Sequence, residues 1–176
     1  MPGTMETLLA ETLAYLAALP PSADLLVRPY HMDYGWKMAA AMRAAAPWAD
    51  FDVERPSQFK RFAESRLIVH NYLGTGWLET LALDLPTICF FDPKAYRFRS
   101  GVLPHIEALE RAGVLHRTAA SAARFSAGVW RNPESWWRTA EVQDARRAFV
   151  SSYANFSADW RRDWEKEFSA KSAQQT

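Results

Sequence analysis

The sequence holds a single cysteine, Cys89, so it can form no internal disulfide. Cys89 sits in the apolar run Thr87-Ile-Cys-Phe-Phe91 and reads as a small buried hydrophobe. No cleavable leader is evident, and no apolar stretch approaches the roughly 20 residues that a membrane helix needs. The run from Leu8 to Leu19 is broken by Glu11 and Thr12 and reads as a core helix. The chain is therefore expected in the cytoplasm, without a transmembrane segment. An excess of charge is also missing: 21 Lys and Arg stand against 20 Asp and Glu, which gives nucleic acid or an anionic membrane no bulk attraction. No His, Cys, Asp or Glu set has metal-ligand spacing, so no metal is expected. No Gly-x-Ser-x-Gly elbow or Ser/His/Asp set is present, which argues against a hydrolase triad. Internal repeats and low-complexity linkers are absent as well.

What is present is a folded chain of ordinary composition, 49% hydrophobic and 23% charged, long enough to bury one core. The reading along it alternates helix and strand. A leading helix over 4–19 is stopped by Pro20-Pro21, and Asp24 to Arg28 reads as a short buried strand. Gly35 to Ala46 forms a helix ended by Pro47, and Asp50 to Glu54 a weak strand. Ser57 caps a helix running to about Glu64. Strand 66–72, helix 76–84 and strand 86–91 follow. Pro104 to Ala112 is a helix stopped by Gly113, and Val114 to His116 a short strand. Thr118 starts another helix, and from Pro133 the chain is helical nearly to Lys171 with a break near Asn155. The pattern predicts an α/β fold, with a Rossmann-like parallel sheet of four to five strands flanked by helices and a helical C-terminal region. One domain covers 1–176: a leading helix at 1–23, a βα core at 24–116 and C-terminal helices at 117–171.

The most informative stretch is Arg66 to Asp92, a βαβ unit whose turn is Tyr72-Leu-Gly-Thr-Gly76. In an open parallel sheet such a turn lies at the carboxyl edge of the strands, where ligands bind. Gly74 and Gly76 allow close backbone approach, the helix start offers unpaired N–H groups to an anion, and the Thr75 hydroxyl can join them. Glu79 is placed to accept hydrogen bonds from ribose hydroxyls. The turn lacks the lysine of a P-loop and the third glycine of a dinucleotide fingerprint. A tight strand-to-helix turn also needs glycine for its own sake, so the architectural reading stands beside the binding one.

A second cluster, Arg28-Pro-Tyr-His-Met-Asp-Tyr-Gly-Trp36, follows the first strand and emerges at the same sheet edge. Arg28 can pair with a phosphate, and His31 and Asp33 form a titratable pair that supplies the only catalytic candidates. The alternative is a polar loop with a stabilising arginine. His70 either faces a ligand or is a satisfied core histidine, and His105 and His116 carry less. Trp130, Trp136, Trp137, Phe149 and Tyr153 recur at helical intervals and read as core. Near the end, Arg161, Arg162 and Lys166 alternate with Asp159, Asp163 and Glu165 as a solvated face. Trp160 and Trp164 on that helix pack on the domain or on an absent partner.

Several of these pieces, taken in order, resemble a known family. They are Val27-Arg-Pro-Tyr30 with Asp33-Tyr-Gly-Trp36, Thr75-Gly-Trp-Leu-Glu-Thr-Leu-Ala82, Leu85-Pro-Thr-Ile88 with Phe90-Phe-Asp-Pro93, Ala112 to His116, and Trp136-Trp137 with Glu141-Val-Gln143 and Phe149. The set resembles the C-terminal part of transferases found in bacterial O-antigen and surface-polysaccharide gene sets, which are distantly similar to GT-B glycosyltransferases. The resemblance implies a domain that holds a nucleotide-diphosphate sugar, the donor, without a metal or other cofactor. It places Gly74, Thr75 and Gly76 by the diphosphate, Glu79 by the ribose, and Arg28 on a phosphate, with Tyr72 in the same loop. The acceptor-binding N-terminal domain of such enzymes is expected to be missing here, which leaves three alternatives: a truncated product, one piece of a split enzyme whose protein partner supplies that domain, or a free-standing domain. A non-catalytic nucleotide-binding or interaction module, or half of a sugar-nucleotide epimerase, are the alternatives.

Overall fold

Strand β4 (Thr87–Phe90) has all four residues buried, and the fold is built outward from it. Successive side chains on a strand point to opposite faces. Accordingly Ile88 and Phe90 enter one apolar cluster, and Cys89 with the following Phe91 enters the other. The first cluster is covered by α1 (Pro2–Ala18), α2 (Met38–Ala45) and α6 (Ala119–Val129), the second by α4 (Thr75–Ala82), α5 (Leu103–Arg111), α7 (Pro133–Trp137) and α8 (Ala140–Tyr153). The result is a layered α/β/α domain, about 57% helical. The computed structural model describes residues 2–30, 32, 34–54, 57–157 and 159–173.

The strands differ from the expected single sheet. β3 (Ile68–His70), β4 and β5 (Leu115–His116) form one parallel sheet in the order β3-β4-β5. β1 (Leu26–Val27) and β2 (Asp50–Phe51) pair separately, also in parallel, with Val27 opposite Phe51. Among the described residues no ladder joins the two sheets, so five strands exist but split two and three. The cause is length. Two-residue strands offer few ladder bonds, and Pro29 just after β1 has no N–H to extend one. Val27, Phe51 and Val69 nonetheless pack on the same cluster, so the two sheets share a core.

Local chemistry explains the helix boundaries. Ser57 Oγ accepts from Lys60 N–H at 3.3 Å ahead of α3 (Gln58–Glu64), and Thr118 Oγ1 accepts from Ser121 N–H at 3.2 Å ahead of α6. Gly113, at φ 76°, follows α5 in the left-handed region. The long C-terminal helix is three pieces, α7, α8 and α9 (Trp160–Ala173). Buried Ala119, Ala122 and Ala123 let α6 approach closely, and its Ser126 Oγ accepts from the Tyr15 hydroxyl at 3.0 Å. Burial pushes that phenol up to about 12.

Asp84, between α4 and β4, has φ 57° and gathers the C-terminal helices. Its carboxylate accepts from Trp137 Nε1 (2.9 Å), Arg138 Nη1 (2.6 Å) and Gln143 Nε2 (3.1 Å). Burial alone would raise this carboxyl. Hydrogen bonds from Arg138, Gln143 and Trp137 and the charge of Arg146 outweigh burial and hold it below the ordinary aspartate range. Gln143 and Arg146 of α8 meet the end of α4, whereas Phe149 packs near its start on Trp77, with ring centroids 5.0 Å apart and planes tilted by 40°. α8 thus runs antiparallel to α4 and delivers its C-terminus to the edge where α4 begins. No helix among the described residues is long and apolar enough to cross a membrane.

Candidate functional site at the carboxyl edge of the strands

The turn after β3 is held from several directions. Asn71 Nδ2 donates to Thr12 Oγ1 of α1 at 2.8 Å. The Cys89 thiol donates to the Tyr72 carbonyl at 3.4 Å, and the same carbonyl accepts Gly74 N–H at 3.0 Å. Leu73 N–H donates to the Tyr96 hydroxyl at 3.1 Å. Burial pushes the Cys89 thiol far up, so it stays a protonated donor.

The two glycines have packing reasons of their own. A Cβ on Gly74 would collide with the Tyr72 ring, and one on Gly76 would come within 3.2 Å of the His70 ring. Gly74 is the residue preceding α4 and provides no side-chain cap, and the first turn of α4 holds no acid. The opening N–H groups of a helix have no intrahelical acceptor, which leaves this end electropositive. Thr75 is exposed there, and Tyr72 is 49% exposed beside it.

His70 is an architectural residue. The Thr80 hydroxyl donates to the Trp77 carbonyl at 3.1 Å, so it accepts from His70 Nε2–H, also at 3.1 Å. The ring meets Phe62 of α3 edge-on. Burial pushes its pKa down to about 4, and it is neutral at physiological pH. An unfolded histidine titrates near 6.5, so the unfolded chain binds more protons between those values. Stability from this neutral site is full above pH 6.5 and declines as pH falls through about 4. His70→Gln is expected to remove on the order of 2 kcal/mol of that pH dependence, measured by urea unfolding at pH 4.5 and 7.5. Identical pH slopes for the variant and the parent would refute it. His116 is also held low by burial and contributes equally to both proteins.

Arg28 is not simply poised for a ligand. Its Nη1 donates to Asp52 Oδ2 at 3.0 Å, and Arg61 of α3 holds the same carboxylate through Nε (3.1 Å) and Nη2 (2.9 Å). Asp52 has no side-chain exposure, whereas Arg28 retains 36%. Glu79 accepts from Gln58 Nε2 at 2.5 Å. Helix α3 is thus the common neighbour, with Gln58 on Glu79, Arg61 on the Asp52–Arg28 pair and Phe62 on His70. It ties the residues predicted from the two loops into one edge. His31 and Asp33 lie outside the described residues.

Tyr96, Asp52 and Gln58 were not singled out from the sequence. Asp52 had a faint signal: it follows β2 by one residue, as Arg28 follows β1, and the register sets Val27 opposite Phe51. Tyr96 and Gln58 had none, being 23 residues from Leu73 and 21 from Glu79. A hollow of about 400 Å³ lies on the β5 side instead, lined by Glu110, His116, Arg117, Ser121 and Phe125 among others. The candidate residues do not line it. Among the described residues no group of three or more His, Cys, Asp or Glu side chains is placed to hold a metal.

Fold and edge together define an α/β protein whose uncapped helix start lies beside a rigid loop at the ends of parallel strands. The chain belongs to the LIC12162 family of transferases, whose family model, described as LIC12162 family transferase, matches residues 1–168. No curated protein and no solved structure matches it.

Proposed function

We propose that this edge binds a nucleotide-diphosphate sugar, and that the chain is the donor-binding domain of a glycosyltransferase-like enzyme of surface-polysaccharide synthesis, related to the GT-B type and working in the cytoplasm. The observation carrying this reading is the Asn71–Gly74 loop, fixed by α1, Cys89 and Tyr96 so that it presents the uncapped start of α4. A preorganised set of N–H donors costs no rearrangement when charge develops on a leaving diphosphate. Gly74, Thr75 and Gly76 take the diphosphate and Glu79 the ribose. Tyr72 closes over the loop and Arg28 approaches from β1. Membership of a transferase family and the resemblance to O-antigen transferases support the assignment.

Titration of the purified protein with nucleoside diphosphates and their sugars tests it. Thr75→Ala and Glu79→Ala should each weaken binding by about 1–2 kcal/mol, the cost of one lost hydrogen bond. Thermal unfolding run alongside separates a lost Gln58 contact from a lost ligand contact. Unchanged affinity in both variants removes the proposed site.

A second reading, an interaction module that completes a partner, is favoured by apolar exposure. Tyr30 (59%), Tyr34 (63%), Val53 (74%) and Phe59 (54%) are exposed around the strand ends, and Trp160, Trp164 and Phe168 form a stripe along α9. Exposed apolar patches of this kind mark association surfaces. The two readings agree if the partner provides the acceptor-binding domain.

A further inference from the structure

Helix α3 is attached to the domain differently from its neighbours. Each of the other helices from α1 to α8 supplies buried side chains to one of the two apolar clusters. α3 buries none of its seven residues and enters neither cluster. Among the described residues no backbone hydrogen bond ties 57–65 to another element. Side chains alone hold it. Gln58 donates to Glu79 at 2.5 Å, Arg61 donates to Asp52 at 2.9 and 3.1 Å, and Phe62 meets His70 edge-on with ring centroids 6.2 Å apart. Isolated helices shorter than roughly 12–15 residues are marginal in water, so α3 owes its helical shape to the contacts that fix its place. Loss of those contacts releases the segment as a whole.

The inner partner in each contact stays satisfied when α3 leaves. Asp52 keeps Arg28 Nη1 on its Oδ2 at 3.0 Å, so the buried carboxylate is not stranded without a cation, which would be the costly case. His70 keeps its bond to the Thr80 hydroxyl at 3.1 Å, within β3 and α4. On the departing side, Arg61 keeps Glu64 of α3 itself at 2.9 Å. Gln58 is exposed and Glu79 half-buried, so water takes over their mutual bond. Neither cluster loses a side chain. A segment with few buried apolar contacts and replaceable polar ones belongs to the low end of local stability.

We propose that α3 is a lid over this edge: it opens as a unit while the domain stays folded, and in closing it sets Gln58 on Glu79, so that a ligand bonding Glu79 competes with closure. The opening stands on the contacts of α3 alone. The competition rests on the donor-site reading above, in which Glu79 takes the ribose. Arg61 is the latch, since its two bonds to Asp52 reach a carboxylate with no side-chain exposure. Arg28, sharing that carboxylate from β1, is what allows the latch to let go. The closed arrangement is then the resting, self-blocked state of the edge, and a nucleoside diphosphate selects the open one.

Native-state hydrogen exchange in increasing urea reads the opening. The amides of 61–65, including Ser65 N–H on the Phe62 carbonyl at 3.2 Å, should exchange with little urea dependence, because a local opening exposes little surface. Cys89 N–H of β4, on the Val114 carbonyl at 2.8 Å, should show the full dependence of unfolding. Arg61→Gln should speed the amides at 62–65 by one common factor, roughly tenfold, as loss of a charge-assisted hydrogen bond does. Amides that share the urea dependence of Cys89, or that answer to Arg61→Gln one by one, would overturn the lid. Isothermal titration with a panel of nucleoside diphosphates reads the competition. Gln58→Ala leaves the Arg61 and Phe62 contacts in place and should tighten binding about threefold, by raising the fraction of protein whose Glu79 is available. If Thr75→Ala weakens binding while Gln58→Ala leaves it unchanged, the competition fails and the donor-site reading survives. If the parent binds none of the probes, the donor-site reading and the competition fail together, and the exchange result still decides whether α3 opens as a unit.

Discussion

Trp137→Ala is expected to destabilise the protein by about 3–5 kcal/mol, a large part of the stability of a domain of this size. Trp137 has no exposed surface and sits in the cluster with Trp77, Leu81, Leu109 and Phe149. Truncation leaves a cavity where an indole was, and rigid surroundings collapse only partly. It also removes the Nε1 donor to the Asp84 carboxylate and to the Asp84 carbonyl, at 2.9 and 3.2 Å. The damage spreads because Asp84 links α4 to α8: Gln143 bonds it, and Arg146 lies 3.1 Å from it while donating to the Leu81 carbonyl at 2.9 Å. Trp137→Phe separates the two causes. It fills most of the volume but lacks the donor, and should cost about 1–2 kcal/mol. Urea unfolding followed by circular dichroism reads both variants. An alanine variant within about 1 kcal/mol of the parent would mean that this hub does not hold the C-terminal helices.

The parts of the fold legible in the sequence were those with short-range causes. β3, α4 and β4 announced themselves because buried strands are continuous apolar runs and the turn between them carries two glycines. Ser57 and Thr118 announced helix starts because a hydroxyl at that position bonds a backbone N–H two or three residues on. Cys89 was placed correctly in the core for the same local reason. The division of the strands into two sheets was not legible, because pairing depends on ladder bonds between segments only two residues long. The break between α7 and α8 was missed as well. The aromatic pattern runs straight through Arg138 and Thr139, where the chain turns. In the candidate site, the loops were legible from their residues, but the contacts between them were not. Arg28 suggested a phosphate, yet it donates to a carboxylate 24 positions away. The Tyr96 tether was equally invisible, since nothing in an isolated Tyr-Arg-Phe-Arg run says which loop its hydroxyl will reach.

Asp52→Ala is expected to cost about 2–3 kcal/mol, and it bears on the edge as well as on stability. The buried carboxylate is fully used: Oδ2 accepts from Arg28 Nη1 and Arg61 Nε, and Oδ1 accepts from Arg61 Nη2. Its removal leaves two guanidiniums side by side, of which Arg61 keeps Glu64 2.9 Å from its Nη1. Both arginines are partly exposed and regain some hydration, so the cost falls short of that of a fully buried broken pair. Asp52→Asn should fare little better, because an amide puts a donor where one of the two oxygens accepted. The pair couples, so Asp52→Ala combined with Arg28→Gln should cost less than the two single changes added together. Chemical unfolding of the four proteins of that cycle measures the coupling, and strict additivity would show that Arg28 and Asp52 do not stabilise each other. Diphosphate affinity across the same four proteins then assigns Arg28. If Arg28→Gln lowers stability and leaves affinity unchanged, the arginine only fastens β1 to β2 and α3. If affinity falls in the single variant, and Asp52→Ala raises it by freeing the guanidinium, Arg28 serves the ligand from a position set by Asp52.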